Sequence, residues 1–192
     1  MALRNTEREW GSLAKWLHWL IAVLMLAAIT CGLWADQLDP DAPGDPELWR
    51  LLIMGLHKPL GFSALVLIVL RVAWALTNIR PTLPVSMTGK EVWLSKAAHF
   101  VLYLLMLVVP VSGWFMSQYA DSSIDYFGLF EIGNLVRPAK EKVGSLHFVH
   151  VNLGLFTLAL VVFHIAAALF HEFVRKDGVL SAMLPGGGSK SG

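Results

Sequence analysis

Apolar residues in this chain gather into four long runs separated by polar stretches. The runs cover about residues 16–35, 51–77, 97–120 and 146–170. Each reaches the roughly 20 residues that a helix needs to cross a bilayer, and the last continues as helix to about residue 173. Tryptophans lie near the run ends (Trp16, Trp19, Trp34, Trp49, Trp74, Trp93, Trp114), as in an interfacial belt. Arg4, Arg8 and Lys15 precede the first run, as in a secretory signal. That run is longer than the roughly 7–15 apolar residues of a signal, and no small-x-small cleavage site follows it. Ala28-Ile29-Thr30-Cys31 is a poor lipobox. The pattern predicts four retained transmembrane helices in one all-α domain, residues 1–184. A Gly/Ser-rich tail over residues 185–192 is expected to be disordered.

The connections predict the orientation. The first carries Asp36, Asp39, Asp41, Asp45 and Glu47 against Arg50 alone. The second carries Arg80, Lys90 and Lys96, and the segment after the fourth run carries Arg175, Lys176 and Lys190. The positive-inside rule then puts both termini in the cytoplasm. The third connection, residues 121–145, falls outside yet holds Arg137, Lys140 and Lys142. Its length points to a cap or a docking surface, with Phe127, Leu129 and Phe130 packed on the outer end of the bundle.

Composition sharpens this picture. Hydrophobic residues make up 56% of the 192 and charged residues 15%, against about 25% charged in soluble domains. Mean hydropathy is +0.59, too apolar for a water-soluble domain of this size. The net charge of +1 leaves no basic footprint for nucleic acid. The single cysteine, Cys31, excludes an internal disulfide, a CxxCH haem site and a four-thiolate iron–sulfur site. What stands out is seven histidines in a chain with so little other charge.

An ionisable residue inside a span is costly and marks function. His18, His57 and His99 lie in the first three runs, and His147, His150 and His164 in the fourth, with His171 at its inner end. His150 and His164 are 14 residues apart. That is nearly four helical turns, so they point the same way about 21 Å apart along the axis. They cannot share a metal ion, so each needs a partner from another helix. The topology offers His57 to His150 toward the outside and His18 to His164 toward the inside. Two histidine pairs stacked in a four-helix bundle predict two b-type haems. With both axial positions filled, such haems suit electron transfer. His171 lies on the same face and rivals His164 as a ligand. His99 and His147, the latter about 100° out of line with His164, read more plainly as interhelical hydrogen-bonding groups.

The same 14-residue step leads from His57 to Arg71, at the inner depth, where a haem propionate is the expected partner. From His18 it leads to Gly32, at the outer depth, where a missing side chain admits a flat macrocycle. Gly61 and Gly154 follow His57 and His150 by four residues and sit one turn over each outer ligand. Close helix packing is the alternative for all three glycines. Lys58 is a candidate for the outer propionates.

Leu17-His18-Trp19, Leu56-His57-Lys58-Pro59-Leu60-Gly61 with Arg71, Ala98-His99-Phe100-Val101-Leu102-Tyr103 and Pro110-Val111-Ser112-Gly113 form an ordered set. His150, His164-Ile165-Ala166-Ala167, His171, Arg175-Lys176-Asp177-Gly178 and Met183-Leu184-Pro185 complete it. In this order and spacing the chain resembles the bacterial cytochrome b561 family, related to the cytochrome b subunits of nickel–iron hydrogenases, over about residues 7–184. The resemblance implies an inner-membrane, multi-pass dihaem cytochrome exchanging electrons with the quinone pool. It implies His18, His57, His150 and His164 as the ligands, and a quinone near the inner haem. One branch of the family oxidises superoxide at the outer haem. Many members carry two adjacent histidines at the end of the fourth helix; here His171 is followed by Glu172.

The leading functional expectation is a quinone-linked oxidoreductase fed by a periplasmic donor or by superoxide. His171 lies seven residues beyond His164 on the same stripe, about 10 Å nearer the cytoplasm, so the quinone headgroup is expected between the inner haem and His171, with His99 nearby. A second expectation is a haem-containing membrane anchor that conducts electrons for a separate redox subunit docked on the basic outer loop. A third is a haem-free metal or proton transporter, for which the sequence shows no inverted repeat.

Overall fold

The structure, a computed structural model, describes residues 2–39, 43–84 and 86–187. It has the expected all-α architecture of four long apolar helices, α1 (Ser12–Gln37), α2 (Pro46–Thr77), α3 (Gly89–Tyr119) and α4 (Val143–Leu169). A short hairpin of β1 (Ile124–Asp125) and β2 (Glu131–Ile132) interrupts the third connection. A π-helix (Phe170–Arg175) extends α4, and a short α5 (Val179–Met183) follows. Residues 40–42 and 188–192, including Asp41, Lys190 and most of the expected tail, lie outside the described residues.

Each helix starts several residues before its apolar run. Hydropathy marks only the lipid-buried part, and capping chemistry carries the helix further into water. At α2 the Asp45 carboxylate accepts from the Leu48 amide and Pro46 occupies the first turn, both strong start signals. At α3, Thr88 and Glu91 form a capping box, which satisfies two otherwise orphaned donors. The second connection is correspondingly short, and Lys90 and Lys96 ride on the first turns of α3.

Most apolar positions face outward, as in a bundle whose solvent is lipid. The interior is narrow. On α1 the buried residues Ala14, Ile21, Ala28 and Ala35 recur every seven positions, a seam of mostly small side chains that lets a neighbour approach closely. That neighbour is α2; α3 packs along α4, and α2 joins α3. The backbone of α4 stays near α3, and its side chains reach α1 and α2. His150, Gly154, Thr157, Val161 and His164 follow one another at steps of four and three, one face of a helix. At mid-depth Thr157 and Val161 lie buried with Ile21, Ile68 and Leu105, a mostly apolar layer between the two histidine levels.

Both ends are closed by polar bonds; inner denotes the end that carries Lys15 and α5, and outer the end that carries the β-hairpin. On the inner end, Trp19 Nε1 donates to the Met183 carbonyl and Lys15 Nζ to that of Gly187, which pins α5 and the residues after it against α1. On the outer end, the buried Gln118 accepts from the Leu135 amide and donates to the Gly133 carbonyl. The expectation that Phe127, Leu129 and Phe130 cover the bundle is not met, since all three are exposed. Phe127 and Gly128 both have positive φ, the conformation of a tight hairpin turn. The turn carries the tip away from the bundle, and the buried Ile124 together with Tyr126, whose hydroxyl lies 3.0 Å from Ser63 Oγ, packs inward instead.

Candidate functional site

The helices bring the histidines together in two pairs at two depths. The ring centroids of His57 and His150 are 5.9 Å apart, and those of His18 and His164 are 6.2 Å apart. Two imidazoles on opposite sides of one metal ion, each bonded at about 2.0 Å with its ring centre about 1.2 Å behind the nitrogen, have centroids about 6.4 Å apart. Both pairs match that spacing. Among the described residues no three His, Cys, Asp or Glu side chains converge on a metal position. A haem iron brings its own four nitrogens and asks the protein for two, so the donor set fits haem.

The outer pair is held by its backbone surroundings. His57 Nδ1 lies 2.8 Å from the Ala28 carbonyl oxygen, and His150 Nδ1 lies 3.0 Å from that of Val109 and 3.0 Å from Ser112 Oγ. A carbonyl only accepts, so Nδ1 carries the proton and Nε2 keeps its lone pair. This is the arrangement that fixes the tautomer and orientation of metal-ligating histidines. Each ring also rests on a glycine, four residues beyond the carbonyl it binds. A Cβ added to Gly32 would stand 2.9 Å from His57 Cε1, and one added to Gly113 would stand 2.8 Å from His150 Cε1. Gly32 thus seats a histidine ring. Gly61 and Gly154 line the cleft beside the outer pair, with nothing within 4 Å of an added Cβ, which leaves room for a flat group.

The inner level differs. Neither His18 nor His164 makes a hydrogen bond among the described residues. His99 approaches His164 edge-on at 5.2 Å, and its Nδ1 donates to the Ser95 carbonyl at 2.6 Å. Arg71 reaches the same level: Nη1 donates to the Ala14 carbonyl at 2.8 Å and Nε to the Tyr103 hydroxyl at 3.1 Å. Lys58, on the outer level, donates to Ser122 Oγ at 2.6 Å and lines the cleft. His171 is turned toward Asp177, with Nδ1 2.7 Å from Oδ2. His147 pairs at 3.5 Å with Asp36 at the outer end of α1.

Sequence reasoning alone did not assign roles to Ser112, Gly113 or the carbonyls of Ala28 and Val109. The available signal was a glycine at mid-span in α3 beside a serine. The buried indole nitrogen of Trp114, next along α3, has no partner among the described residues, and Trp114 lines the same cleft. An orphaned donor there suits an anionic group on a bound ligand.

A model of the prokaryotic cytochrome b561 family matches residues 9–186. The chain is 28% identical to cytochrome b561 homolog 2 of Escherichia coli (strain K12), over 96% of this chain and 95% of that one. It is 28% identical to the probable superoxide oxidase CybB of Yersinia pestis, over 93% of this chain and 97% of that one. It is 30% identical to cytochrome b561 homolog 1 of E. coli K12, over 88% of this chain and 93% of that one. With four membrane-spanning helices and histidine pairs spaced for haem iron, the chain belongs to the prokaryotic cytochrome b561 family and is a bacterial multi-pass membrane b-type cytochrome for electron transfer.

Proposed function

We propose that the protein carries two b-type haems, one between His57 and His150 and one between His18 and His164, and passes electrons from an outer donor to quinone at the inner level. The observation that carries this is the recurrence of one interimidazole spacing, 5.9 and 6.2 Å, at two depths on α4. When bound, such haems supply reversible one-electron chemistry without an open coordination site.

The protein's own residues orient and admit the group. Ala28, Val109 and Ser112 hold the outer imidazoles with Nε2 available. Gly61 and Gly154 leave the outer cleft open, and Lys58 and Trp114 offer donors to the outer propionates. Arg71, already bonded to Ala14 and Tyr103, places its charge at the inner level, where a propionate would be its further partner. The buried layer of Ile21, Ile68, Leu105 and Thr157 places mostly apolar side chains between the levels.

Both termini lie in the cytoplasm, by the charge of the connections, so the His18–His164 level faces inward. Superoxide is the outer donor suggested by the Yersinia pestis relative's name. Two superoxide anions would give two electrons and leave two dioxygen molecules, and one quinone would take those electrons with two cytoplasmic protons. His171 and His99, nearest the inner level, are placed to meet the quinone headgroup.

A pyridine haemochrome assay of the purified protein tests the ligand assignment. Two haems per chain are expected, falling to one in His57→Ala, His150→Ala, His18→Ala and His164→Ala. One haem per wild-type chain, or an intact dihaem spectrum in His164→Ala, overturns it.

A further inference from the structure

After α3 the chain does not continue outward. It turns at Asp121, where φ is positive, and runs back along α2. Lys58 Nζ donates to Ser122 Oγ at 2.6 Å. Further along the hairpin, Tyr126 meets α2 about one turn deeper: its hydroxyl lies 3.0 Å from Ser63 Oγ, and its ring packs edge-on against Phe62 at 6.4 Å. The order of these contacts, Lys58 first and then Phe62 and Ser63, directs the hairpin inward. Phe62 also meets Trp114 of α3 at 6.3 Å. Ile124, at the hairpin's base, is buried and lines the outer cleft. The part of α2 that the hairpin follows is covered by lipid. Leu51, Leu52 and Leu56 lie nearer the helix start than Lys58 and are exposed on an apolar span, so their solvent is acyl chain. Ser63 lies about 18 Å along the axis from Leu51. The length of the tyrosine side chain covers part of that depth and sets the Tyr126 backbone nearer the headgroups.

The tip has the chemistry of a lipid-facing segment. Phe127, Leu129 and Phe130 are 47%, 76% and 56% exposed, three large apolar side chains within four residues. The turn consumes its own polar groups. The Tyr126 amide donates to the Phe130 carbonyl, the Leu129 amide to the Tyr126 carbonyl and the Gly128 amide to Asp125 Oδ1. Backbone next to hydrocarbon needs such internal bonds, because no water is there to replace them. The Tyr126 hydroxyl is met by Ser63, whose own hydroxyl donates to the Pro59 carbonyl at 2.8 Å. The carboxylates of the hairpin, Asp125 opposite Glu131, stand back from the tip.

We propose that residues 124–132 form a re-entrant hairpin whose tip, residues 127–130, is held by the acyl chains of the outer leaflet. Its depth is the roughly 5–10 Å at which interfacial apolar side chains sit. The partner of this surface is lipid. The contacts with Phe62 and Ser63 decide that choice, since a soluble protein docking on the tip would have to reach beneath the start of the lipid-covered part of α2. Asp125 and Glu131 stay at the level of the headgroups, where water and lipid amines solvate them. The hairpin then stands between the lipid and the outer cleft, with Ile124 facing the cleft and Phe127, Leu129 and Phe130 facing the chains.

The test is spin labelling of the full chain in vesicles of phosphatidylethanolamine and phosphatidylglycerol, in a Cys31→Ser background. A nitroxide is attached at Leu129→Cys, and in a second variant at Phe127→Cys, which serves if the first does not fold. Arg137→Cys, exposed on the same connection, is the reference in water. An absorbance spectrum like that of the Cys31→Ser protein certifies each variant as folded. Power saturation then compares relaxation by oxygen, which concentrates in acyl chains, with relaxation by a nickel chelate, which stays in water. Both tip labels should be relaxed several-fold more strongly by oxygen than by the nickel chelate, and the label at position 137 the other way round. Tip labels relaxed more strongly by the nickel chelate place the hairpin in water and overturn the proposal. Tip labels that neither reagent reaches place the tip against protein, such as a second copy of the chain, and overturn it as well.

Discussion

Gly113 lies against the imidazole of His150 so closely that a Cβ there would stand 2.8 Å from Cε1. Gly32 has the same relation to His57 at 2.9 Å. In both cases the ring crosses the glycine to reach the carbonyl four residues earlier, Val109 or Ala28. The two outer histidines are therefore seated alike, on helices α3 and α1, from opposite sides of one cleft.

Alanine at either seat must push its histidine off the carbonyl, since carbon–carbon contact is comfortable only at about 3.5–4.0 Å. Overpacking of this kind costs about 1–3 kcal/mol. Gly113→Ala and Gly32→Ala are expected to lose outer haem, lowering the haem-to-protein ratio from two toward one while the inner haem's spectrum persists. Gly61→Ala and Gly154→Ala meet no atom outside their own helical turn within 4 Å among the described residues. They should leave the apoprotein's thermal unfolding unchanged and impair only haem loading. Full haem content in Gly113→Ala would show that the ring has another way to sit.

These seats explain what sequence reading reaches and what it misses. The His57–His150 pairing follows from the span order and the helical step, because helical geometry converts spacing into direction; at the inner level the same arithmetic leaves His164 and His171 as rivals, and only the family resemblance implies His164. The same arithmetic places Gly32 at the outer depth but does not say what fills the space beside it. A macrocycle and a histidine ring ask for the same absent side chain. Backbone carbonyls carry no residue-specific signal, so Ala28 and Val109 are invisible until the helices pack. Asp177 is hidden for a related reason: its approach to His171 depends on two left-handed residues, Lys176 and Gly178, and only one of them is a glycine.

Arg71 links three groups at the inner level: its own helix, the Ala14 carbonyl and the Tyr103 hydroxyl. A central arginine costs about 2.5–3.5 kcal/mol on insertion scales unless compensated. A positive charge near a haem favours the reduced form, which is more negative by one electron. Arg71→Gln should therefore lower the inner haem's midpoint, by on the order of 50–100 mV for a charge several ångströms away in a partly polar interior. Tyr103→Phe removes a bond and no charge, and should shift the midpoint far less. Potentiometric titration of the two variants separates charge from packing; equal shifts would mean that Tyr103 rather than the charge sets the potential.

Orientation can be tested at two exposed helix starts, Glu47 in α2 and Lys90 in α3. Both lie in polar first turns just outside the apolar runs. In a Cys31→Ser background, Glu47→Cys should react with a membrane-impermeant maleimide in intact cells, and Lys90→Cys only after the membrane is opened. The opposite labelling pattern would invert the bundle and exchange the levels named inner and outer.

Ser112 has a narrower role that a potential can read. Its hydroxyl donates to the Val109 carbonyl at 2.7 Å and lies 3.0 Å from His150 Nδ1. The imidazole N–H thus shares its bond between a hydroxyl oxygen and a carbonyl oxygen, which makes Nε2 a stronger donor to iron. A stronger donor favours the oxidised metal. Ser112→Ala removes one acceptor, leaves the Val109 carbonyl and leaves the helix seam closed by a small side chain. Haem content should stay at two per chain. The outer midpoint should rise by a few tens of millivolts, the equivalent of about 0.5–1 kcal/mol for one weakened hydrogen bond, while the inner midpoint stays fixed. Redox titration at the absorbance maximum of each haem measures both at once. A fall in the outer midpoint would reverse the sign argued here and show that the hydroxyl acts on the iron through something other than His150.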